Sequence, residues 1–581
     1  MGNTLKHPHR WMVVSGSLPK SELYALEKSC IHGETLRTYG CRPLNLYSAA
    51  ESSKKIFSSK NADRFAAYSG TPVEQDILSD GMSGYTDADI KALEDRAATG
   101  LIGGSEFSLV FGSQGSVRIY TDTLSLHKVY YWRQGGYIYA TNDADWVRII
   151  IEPVYRQTTL LAKKLIGGII GELGYETIYD GVSVLPESSI LEMTSHGHEI
   201  SSYRSISDLV SPAASWGESF EALVAQLHGD GKNLSANAMP LIPISGGFDS
   251  RVCASMFYPF NRLSQRVRSY TYNREPGLDI PIGRGIARSI GSKHYDLALG
   301  VKSDSAVIKQ WRESGAKTDI FDYVFGVRLE PLITSDTVMI NGNGGDTDWA
   351  YKYSALKSIS CAEAPEEIVE RFLWSNIPEY LKVDVRREIF EIAKHQLLSK
   401  YECILDDQDF HTKFGSAIFH LERYRNQTKR QSTRKYGVYS PFGNPEFIGV
   451  VFAGTRRNLI RSSKQSIHRN LVYELARRAL IRIPFIKRNQ WSLSTRVTGP
   501  VLETWSRLSW KANHGDTNTR LRALQYDVVP SPSDAEVLLS FSSDDVFRCL
   551  IGPLNGPGTQ SRVNSTLERK VANYLRFKHG L

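Results

Sequence analysis

The sequence PLIPISGGFDSR at residues 240–251 decides the fold of the C-terminal part of the chain. An apolar run predicts a strand, the run ends at two consecutive glycines, and the residues from Val252 predict a helix. Gly246 and Gly247 let backbone amides approach an anion because no Cβ atoms stand in the way. A helix N-terminus at this place also favours negative charge. The sequence therefore predicts a phosphate-binding loop between a strand and a helix.

The polar residues of this first loop indicate a nucleotide with a divalent cation. Ser245 and Ser250 add hydroxyl donors, and Asp249 adds a carboxylate that phosphate would repel unless Mg²⁺ lay between them. An alternative is a glycine-rich turn without a ligand, because short motifs also occur by chance. Pro240 and Pro243 are unusual in a central strand, since proline cannot donate to a ladder.

A second loop of similar character follows later in the chain. Strands are predicted over 267–272 and 337–340, with a helix over 279–290 that carries isoleucine on one face. This alternation predicts a parallel sheet, whose ligands bind beyond the carboxyl ends of the strands. The strand at 337–340 runs into NGNGGDTD at 341–348, which contains Asp346. Two strand-end loops that each offer an aspartate, here Asp249 and Asp346, are what a Mg²⁺-pyrophosphate site requires on its two sides.

The first loop differs from a Walker loop and resembles the pyrophosphate loop of ATP pyrophosphatases, which cleave ATP between the α and β phosphates. The pair of loops resembles the asparagine synthetase superfamily, which has SGGLDS-like and GEGSDE-like loops. Segments 107–110, 118–132 and 135–142 resemble the amidotransferase-like domain of that family, and SPFGN at 440–444 resembles its Arg-x-Pro-Phe-Leu-Asp segment. The resemblance implies ATP and Mg²⁺ as cofactors.

The same resemblance implies an α/β chain in two parts. Residues 1–210 would form an amidotransferase-like (Ntn-type), sheet-rich α+β domain, and 211–581 an ATP-pyrophosphatase-like parallel α/β domain with a helical extension. Short aromatic and β-branched runs before residue 210 independently predict strands. The stretch 207–215 predicts a linker, and the pattern is mostly helical from residue 360, with an amphipathic helix over 366–374.

One difference from the family bears on which nucleophile the enzyme uses. A glutamine-hydrolysing amidotransferase needs Cys at position 2, whereas this chain has Gly2, so the first domain is predicted to lack glutaminase chemistry. Superfamily members without this cysteine include β-lactam and carbapenam synthetases and lasso-peptide cyclases. The β-lactam formers have tyrosine where Asn343 stands. The second loop, and FHLERYRNQ at 419–427, are more similar to lasso-peptide cyclases.

Resemblance to the lasso-peptide cyclases implies an ATP-dependent macrolactam ligase. Such an enzyme adenylates an Asp or Glu side-chain carboxylate of a precursor peptide, and the N-terminal amine of that peptide then displaces AMP. The implied partners are the precursor peptide, a leader peptidase and a leader-binding protein. Two alternatives stay open, namely a small-molecule amide ligase similar to asparagine or β-lactam synthetases, and a degenerate, non-catalytic binding partner.

The loops and the resemblance predict the ligand-binding residues. Asp249 and Asp346 are predicted to hold Mg²⁺. The residues predicted to line the nucleotide are Ser245, Gly246, Gly247, Asp249, Ser250, Asn341 and Gly342.

The predicted catalytic residues rest on less specific patterns. Lys487 follows a proline-containing turn as a lysine does in the family, and Lys464 is the alternative cation. Glu422 is predicted either to accept a proton from the attacking amine or to lie on a helix surface paired with Arg425. His294 is predicted to pack at the start of a strand.

The composition bears on the number of cores, on zinc sites and disulfides, and on the cellular location. A chain of 581 residues with 41% hydrophobic and 23% charged residues is long enough for two or more cores. Six cysteines without a CxxC pair argue against zinc and disulfides, and Cys253 is predicted to be a buried small hydrophobe. Residues 1–20 lack the pattern of a signal peptide, and no apolar run has the length of a membrane span, so we expect the protein in the cytoplasm.

The net charge of +8 is concentrated between residues 456 and 488. A solvated helix face explains many such clusters. A second explanation is that part of the cluster faces the triphosphate. Nucleic-acid binding ranks third, because the N-terminal resemblance is to amidotransferases and not to an RNA-binding module.

Overall fold

The computed structural model describes residues 10–30, 35–41, 44–50, 56–58, 64–73, 86–151, 175, 177, 179, 181–260, 266–273, 279–298, 327–334, 336–345, 364–377, 383–408, 410–424, 436–455, 464–477, 480, 486–487 and 490–491.

Antiparallel strands dominate the described N-terminal part. The strands are β1 (Arg10–Val14), β2 (Thr35–Cys41), β3 (Leu44–Ala50), β4 (Ile56–Ser58), β5 (Phe65–Pro72), β6 (Gly104–Ser113), β7 (Ser116–Thr121), β8 (Tyr130–Gln134), β9 (Tyr137–Thr141), β10 (Ser183–Val184), β11 (Ser189–Thr194) and β12 (His198–Ser202). The helices are α1 (Lys20–Ser29), α2 (Asp87–Ala98), α3 (Ala144–Ile150) and α4 (Ile206–Val210). Two sheets result, with the strand orders β10-β8-β9-β1-β3-β2 and β12-β11-β7-β6-β5-β4.

These sheets are packed face to face and covered by helices. Trp11 and Val13 of β1 share a core with Val110 of β6, whereas Met12 and Val14 pack on the other face, against α1 and α3. The period of two in a strand explains this division, because successive side chains point to opposite faces. Helix α2 packs on the outer face of the second sheet. The described N-terminal part therefore has four layers, in the order helix, sheet, sheet, helix.

A parallel sheet follows. Its strands are β13 (Met239–Pro243), β14 (Arg268–Asn273), β15 (Lys293–Ala298), β16 (Thr337–Ile340) and β17 (Gly437–Tyr439). The order is β15-β14-β13-β16-β17, and each neighbouring pair is parallel. Helices α5 (Trp216–Asn237), α6 (Phe248–Ser255) and α7 (Asp279–Ile290) pack with it around one large core.

Strand β13 is central although it contains Pro240 and Pro243. Backbone hydrogen bonds on both sides of the prolines continue the pairing, since the Met239 amide donates to Asp336 at 2.9 Å and the Ile244 amide donates to Tyr270 at 2.8 Å. The strand therefore tolerates its two missing donors.

The remaining described elements are mainly helical. They are α8 (Pro365–Asn376), α9 (Val383–Lys400), α10 (Phe410–Ala417), a π-helix (Ile418–Tyr424), α11 (Pro445–Thr455), α12 (Lys464–Ala476), the short hairpin of β18 (Ile486–Lys487) and β19 (Gln490–Trp491), and three 3₁₀ helices (Glu330–Leu332, Glu402–Ile404 and Pro441–Gly443). The predicted helices over 279–290 and 366–374 are confirmed as α7 and as part of α8. The predicted linker 207–215 is partly wrong, because α4 extends through Val210 after a capping box formed by Ser205 and Asp208.

The N-terminal and C-terminal parts are in direct contact. Val73, Leu124 and Leu126 are buried in the core that surrounds the parallel sheet. A mixed α/β chain with antiparallel and parallel sheets is thus confirmed, while the boundary at residue 210 and the Ntn-type and ATP-pyrophosphatase-like assignments stay predictions. Cys253 is fully buried, as predicted, and burial raises the pKa of its thiol. No helix in the described ranges is both long and apolar enough to cross a membrane.

Candidate functional site

The first loop joins the end of β13 to the start of α6. Hydrogen bonds between its two serines stabilise its conformation. The Ser245 amide donates to Oγ of Ser250 at 3.1 Å, and the Ser250 hydroxyl lies 3.1 Å from the Ser245 carbonyl and 3.2 Å from that of Gly247. Gly247 is the N-cap of α6 and makes no side-chain cap hydrogen bond. The backbone amides of the loop thus lie beside a helix N-terminus, and those of Ser245 and Gly247 donate to the two serine hydroxyls.

One of these amides already contacts a carboxylate. The Gly246 amide donates to Oδ1 of Asp279 at 2.6 Å. Asp279 is the first residue of α7, which follows β14. The amide is thus oriented toward an anionic oxygen, as it would be toward a phosphate oxygen. Asp279 was absent from the predicted site, although an acidic residue at the start of the helix after a neighbouring parallel strand was the signal available in the sequence.

The second loop follows β16 and folds back through local hydrogen bonds. The Asn343 amide donates to Oδ1 of Asn341 at 2.6 Å, a contact of the Asx-turn type. The Asn341 amide donates to the carbonyl of Tyr439 at 2.8 Å, which ties the loop to β17. Gly344 has φ +88°, a conformation that favours glycine.

The two loops meet at Asp249. A Cβ placed on Gly345 would lie 2.9 Å from Cγ and Oδ1 of Asp249, and a Cβ on Gly342 would lie 3.4 Å from its Cβ. Because β13 and β16 are neighbouring parallel strands, their carboxyl ends lie at the same edge of the sheet. A side chain at position 345 would therefore require the loop or the Asp249 carboxylate to move.

Helix α12 brings a histidine to the same carboxylate. Nε2 of His468 lies 3.2 Å from Oδ1 of Asp249, and the histidine side chain is fully buried whereas that of Asp249 is 34% exposed. The imidazole ring packs against Phe442 and Phe447. His468 lies within the basic stretch 456–488, and no local sequence pattern marks it as a partner of Asp249.

A buried arginine, Arg251, contacts the backbone of the first loop. The Arg251 guanidinium donates to the carbonyl of Leu480 at 3.0 Å and to that of Gly246 at 3.4 Å. Burial lowers its pKa to about 10. The side chain connects the loop to the segment after α12.

The structure locates the other predicted residues as follows. Asn341 and Gly342 lie in the second loop, and Asp346 lies outside the described residues. Lys487 lies in β18 and Lys464 begins α12. The predicted contacts of Asp346, Lys487 and Lys464 with ligand stay predictions.

Glu422 lies on the π-helix and is fully buried. The Tyr401 hydroxyl donates to Oε1 of Glu422 at 2.9 Å, and Nζ of Lys400 lies 2.8 Å from the same oxygen. Nζ of Lys400 also lies 2.8 Å from Oε1 of Glu187, a residue of the N-terminal part. The alternative of a helix-surface glutamate is therefore wrong, because packing against α9 encloses the side chain. Burial and the charge of Glu422 raise the pKa of Tyr401.

His294 lies in β15, where it packs as predicted. Its Nδ1 is 2.9 Å from Oγ of Ser269, and its Nε2 is 3.4 Å from Oδ1 of Asp296. Burial lowers the pKa of the imidazole. Ser269 is fully buried and lies opposite His294 in the parallel pairing of β14 and β15.

Comparison of the sequence with models of protein families and with curated proteins gives no match. Similar solved structures include a glutamine phosphoribosylpyrophosphate (PRPP) amidotransferase from B. subtilis complexed with ADP and GMP, at 11% identity over 58% of this chain and 77% of that chain, with a TM-score of 0.23. Another is described as the allosteric regulatory enzyme of purine biosynthesis, at 9% identity over 40% of this chain and 60% of that chain, also with a TM-score of 0.23. At these TM-scores neither likeness decides the fold or the function of this chain.

Proposed function

We propose that this chain binds ATP with Mg²⁺ where its two glycine-rich loops meet and transfers AMP to a carboxylate. The observation that carries the proposal is the approach of the second loop to Asp249, with Gly345 packed against the carboxylate group. Asp346 is the next residue in the sequence after Gly345. Two aspartates contributed by two adjacent strand ends suit a cation that prefers oxygen ligands.

The first loop supplies the donors for phosphate. The Gly246 amide donates to a carboxylate oxygen of Asp279, and a phosphate oxygen would replace that carboxylate as its acceptor. The N-terminus of α6 adds a partial positive charge at the same position. Ser245 and Ser250 border these amides and hold the loop closed.

Mg²⁺ would neutralise phosphate charge and polarise the α-phosphate when bound. A carboxylate oxygen of the substrate then attacks the α-phosphorus, the bond to the β-phosphate oxygen breaks, and pyrophosphate leaves. An amine nitrogen next attacks the activated carbonyl carbon, and AMP leaves. Lys487 is the proposed cation beside the developing negative charge.

The amine must lose a proton in the second step, and Glu422 is the proposed acceptor. Two features support this role. Glu422 is a carboxylate held in place by Tyr401 and Lys400, and it lies on a π-helix, a distortion that is frequent at functional sites.

The proposed substrate is a precursor peptide, and the proposed product is a macrolactam of the lasso-peptide type. The sequence of the second loop supports this choice over β-lactam formation, because Asn343 cannot titrate where those enzymes use tyrosine. The resemblance of the second loop to that of lasso-peptide cyclases supports an amine supplied by the substrate instead of ammonia from glutamine. A leader peptidase and a leader-binding protein are the proposed partners.

The test incubates purified protein with ATP, Mg²⁺, the precursor peptide and the peptidase. We expect AMP and pyrophosphate, and a core peptide lighter than its linear form by one water and without a free N-terminus. Glutamine should be neither hydrolysed nor stimulatory. Release of ADP and phosphate would contradict adenylation. A core peptide that stays linear, with AMP formed only on a small carboxylic acid, would instead support a small-molecule ligase.

A further inference from the structure

A buried hydrogen bond connects the antiparallel part of the chain to the parallel sheet. The Ser440 amide donates to Oγ of Ser105 at 2.8 Å, and the two residues lie 335 positions apart in the sequence. Ser105 belongs to β6, and Ser440 directly follows β17. Both residues are at most 2% exposed, so solvent does not compete for this hydrogen bond.

Ser440 also contacts the second loop. Its hydroxyl donates to the carbonyl of Asn343 at 2.9 Å and accepts from the Phe442 amide at 3.3 Å. Ser105, Ser440 and Asn343 therefore form a continuous chain of hydrogen bonds. The chain runs from the antiparallel sheet to the loop that packs on Asp249 through Gly345.

The segment that contains Ser440 is packed closely against the antiparallel part of the chain. A Cβ on Gly437 of β17 would lie 2.4 Å from Oγ1 of Thr71 in β5, which leaves no space between the two strands. The Tyr439 hydroxyl donates to Oδ2 of Asp230 at 2.5 Å, and burial together with the charge of Asp230 raises the pKa of Tyr439. The segment 437–440 is thus fixed on both sides, by β5 and β6 and by α5.

We propose that Ser105 is a positioning residue for the nucleotide site, acting through Ser440 on the second loop. The antiparallel part then has a task that needs no glutaminase chemistry, because it holds the loop against Asp249. This inference rests on the proposed function for its catalytic consequence. Its structural consequence, a loop ordered by Ser105, is independent of any ligand.

The experiment compares Ser105→Ala and Ser440→Ala with Ser108→Ala. Ser108 lies in the same strand and is fully buried, and its hydroxyl has no hydrogen-bond partner among the described residues. Ser108→Ala is therefore the matched control for loss of a buried hydroxyl. Ser105→Thr keeps the hydroxyl and tests rescue.

Two readouts are taken on the full chain, each beside the free energy of unfolding. Amide hydrogen exchange over residues 341–345 should be faster in Ser105→Ala and Ser440→Ala than in Ser108→Ala. KM for ATP should rise about 3- to 10-fold, the scale of one buried hydrogen bond, with a smaller change in kcat. The rise in KM for the double variant, Ser105→Ala with Ser440→Ala, should be smaller than the product of the two single-variant rises. The reason is that each substitution alone already interrupts the same chain of hydrogen bonds.

Equal exchange rates over 341–345 in Ser105→Ala and Ser108→Ala would overturn the inference. Faster exchange in Ser105→Ala, combined with no ATP binding by the unsubstituted protein, would support the positioning role and contradict the proposed function. The two proposals therefore fail separately.

Discussion

Nε2 of His468 lies 3.2 Å from Oδ1 of Asp249, although the two residues belong to helices that are far apart in the sequence. The histidine is enclosed by Phe442 and Phe447, so its position is fixed by packing. Asp249 is in the first turn of α6 and is partly exposed. The buried imidazole is therefore placed to restrain one oxygen of the carboxylate that we propose as a magnesium ligand.

Removal of this restraint should weaken magnesium binding. We expect His468→Ala to raise the Mg²⁺ concentration for half-maximal AMP formation by about 10-fold, since partners that orient metal ligands commonly contribute 10- to 100-fold. His468→Gln retains a donor and should be affected less. His228→Ala, at an exposed position on α5, is the control and should match the unsubstituted protein. An unchanged Mg²⁺ requirement in His468→Ala would show that Asp249 needs no such restraint.

Loss of the Asp249 charge should abolish activity without unfolding the chain. Asp249→Asn keeps the size of the side chain and removes the negative charge that would hold Mg²⁺, so we expect AMP formation to fall about 100-fold or more. The same loss is expected for Asp346→Ala. Asp296→Asn is the control, because Asp296 on β15 pairs with Arg284 of α7 and with His294 of its own strand. Full activity of Asp249→Asn, measured by pyrophosphate release, would rule out the proposed site.

A methyl group on Gly345 should separate the two loops. Gly345→Ala places a Cβ 2.9 Å from Cγ of Asp249 and 3.1 Å from Cε2 of Phe442, so either the loop or the carboxylate must move. We expect KM for ATP to rise at least about 10-fold, the scale of a small misplacement in a catalytic site.

Gly229→Ala supplies the control for this substitution. Gly229 lies within α5 with no atom within 4 Å of its built Cβ. Alanine there should leave KM unchanged and stabilise the helix by about 0.5–1 kcal/mol, measured by urea unfolding. Equal KM values for the two variants would indicate that the loops do not act together.

Asp122 should make the stability of the N-terminal part depend on pH. Its carboxylate is fully buried and accepts the amides of Leu124, Leu126 and His127 at 2.8–3.1 Å. Burial raises its pKa from an ordinary value of 3.8 to about 6, against the lowering effect of these hydrogen bonds. The folded state then binds the proton more tightly than the unfolded state, so the stabilising contribution is present below pH 4 and is lost as pH rises through about 6.

A shift of this size corresponds to about 3 kcal/mol of unfolding free energy. The measurement is urea unfolding of the unsubstituted protein and of Asp122→Asn between pH 4 and 7. The free energy of unfolding of the unsubstituted protein minus that of Asp122→Asn should decline as pH rises from 4 to 7. Asparagine does not titrate, so the variant lacks the pH-dependent contribution of Asp122. A difference that instead grows with pH would mean that the backbone hydrogen bonds outweigh burial and lower the pKa of Asp122.

Local patterns in the sequence were sufficient to predict the strands, the helix and the loops that form the candidate site. The helix over 279–290 follows from isoleucine spacing, and both loops follow from glycines placed directly after apolar strands. These features depend on contiguous residues, whose backbone conformation is restricted by neighbouring side chains and by glycine. The edge of the sheet at which the loops lie also followed, because parallel strands share the direction of their carboxyl ends.

Only the tertiary structure decided which side chains meet at that edge. The contact of His468 with Asp249, that of Gly246 with Asp279, and the burial of Glu422 against Lys400 each join separate elements. So does the hydrogen bond of Ser440 to Ser105, across 335 positions. Such contacts depend on the order of strands in the sheets and on how helices pack around a shared core, and neither is encoded in the periodicity of any single segment.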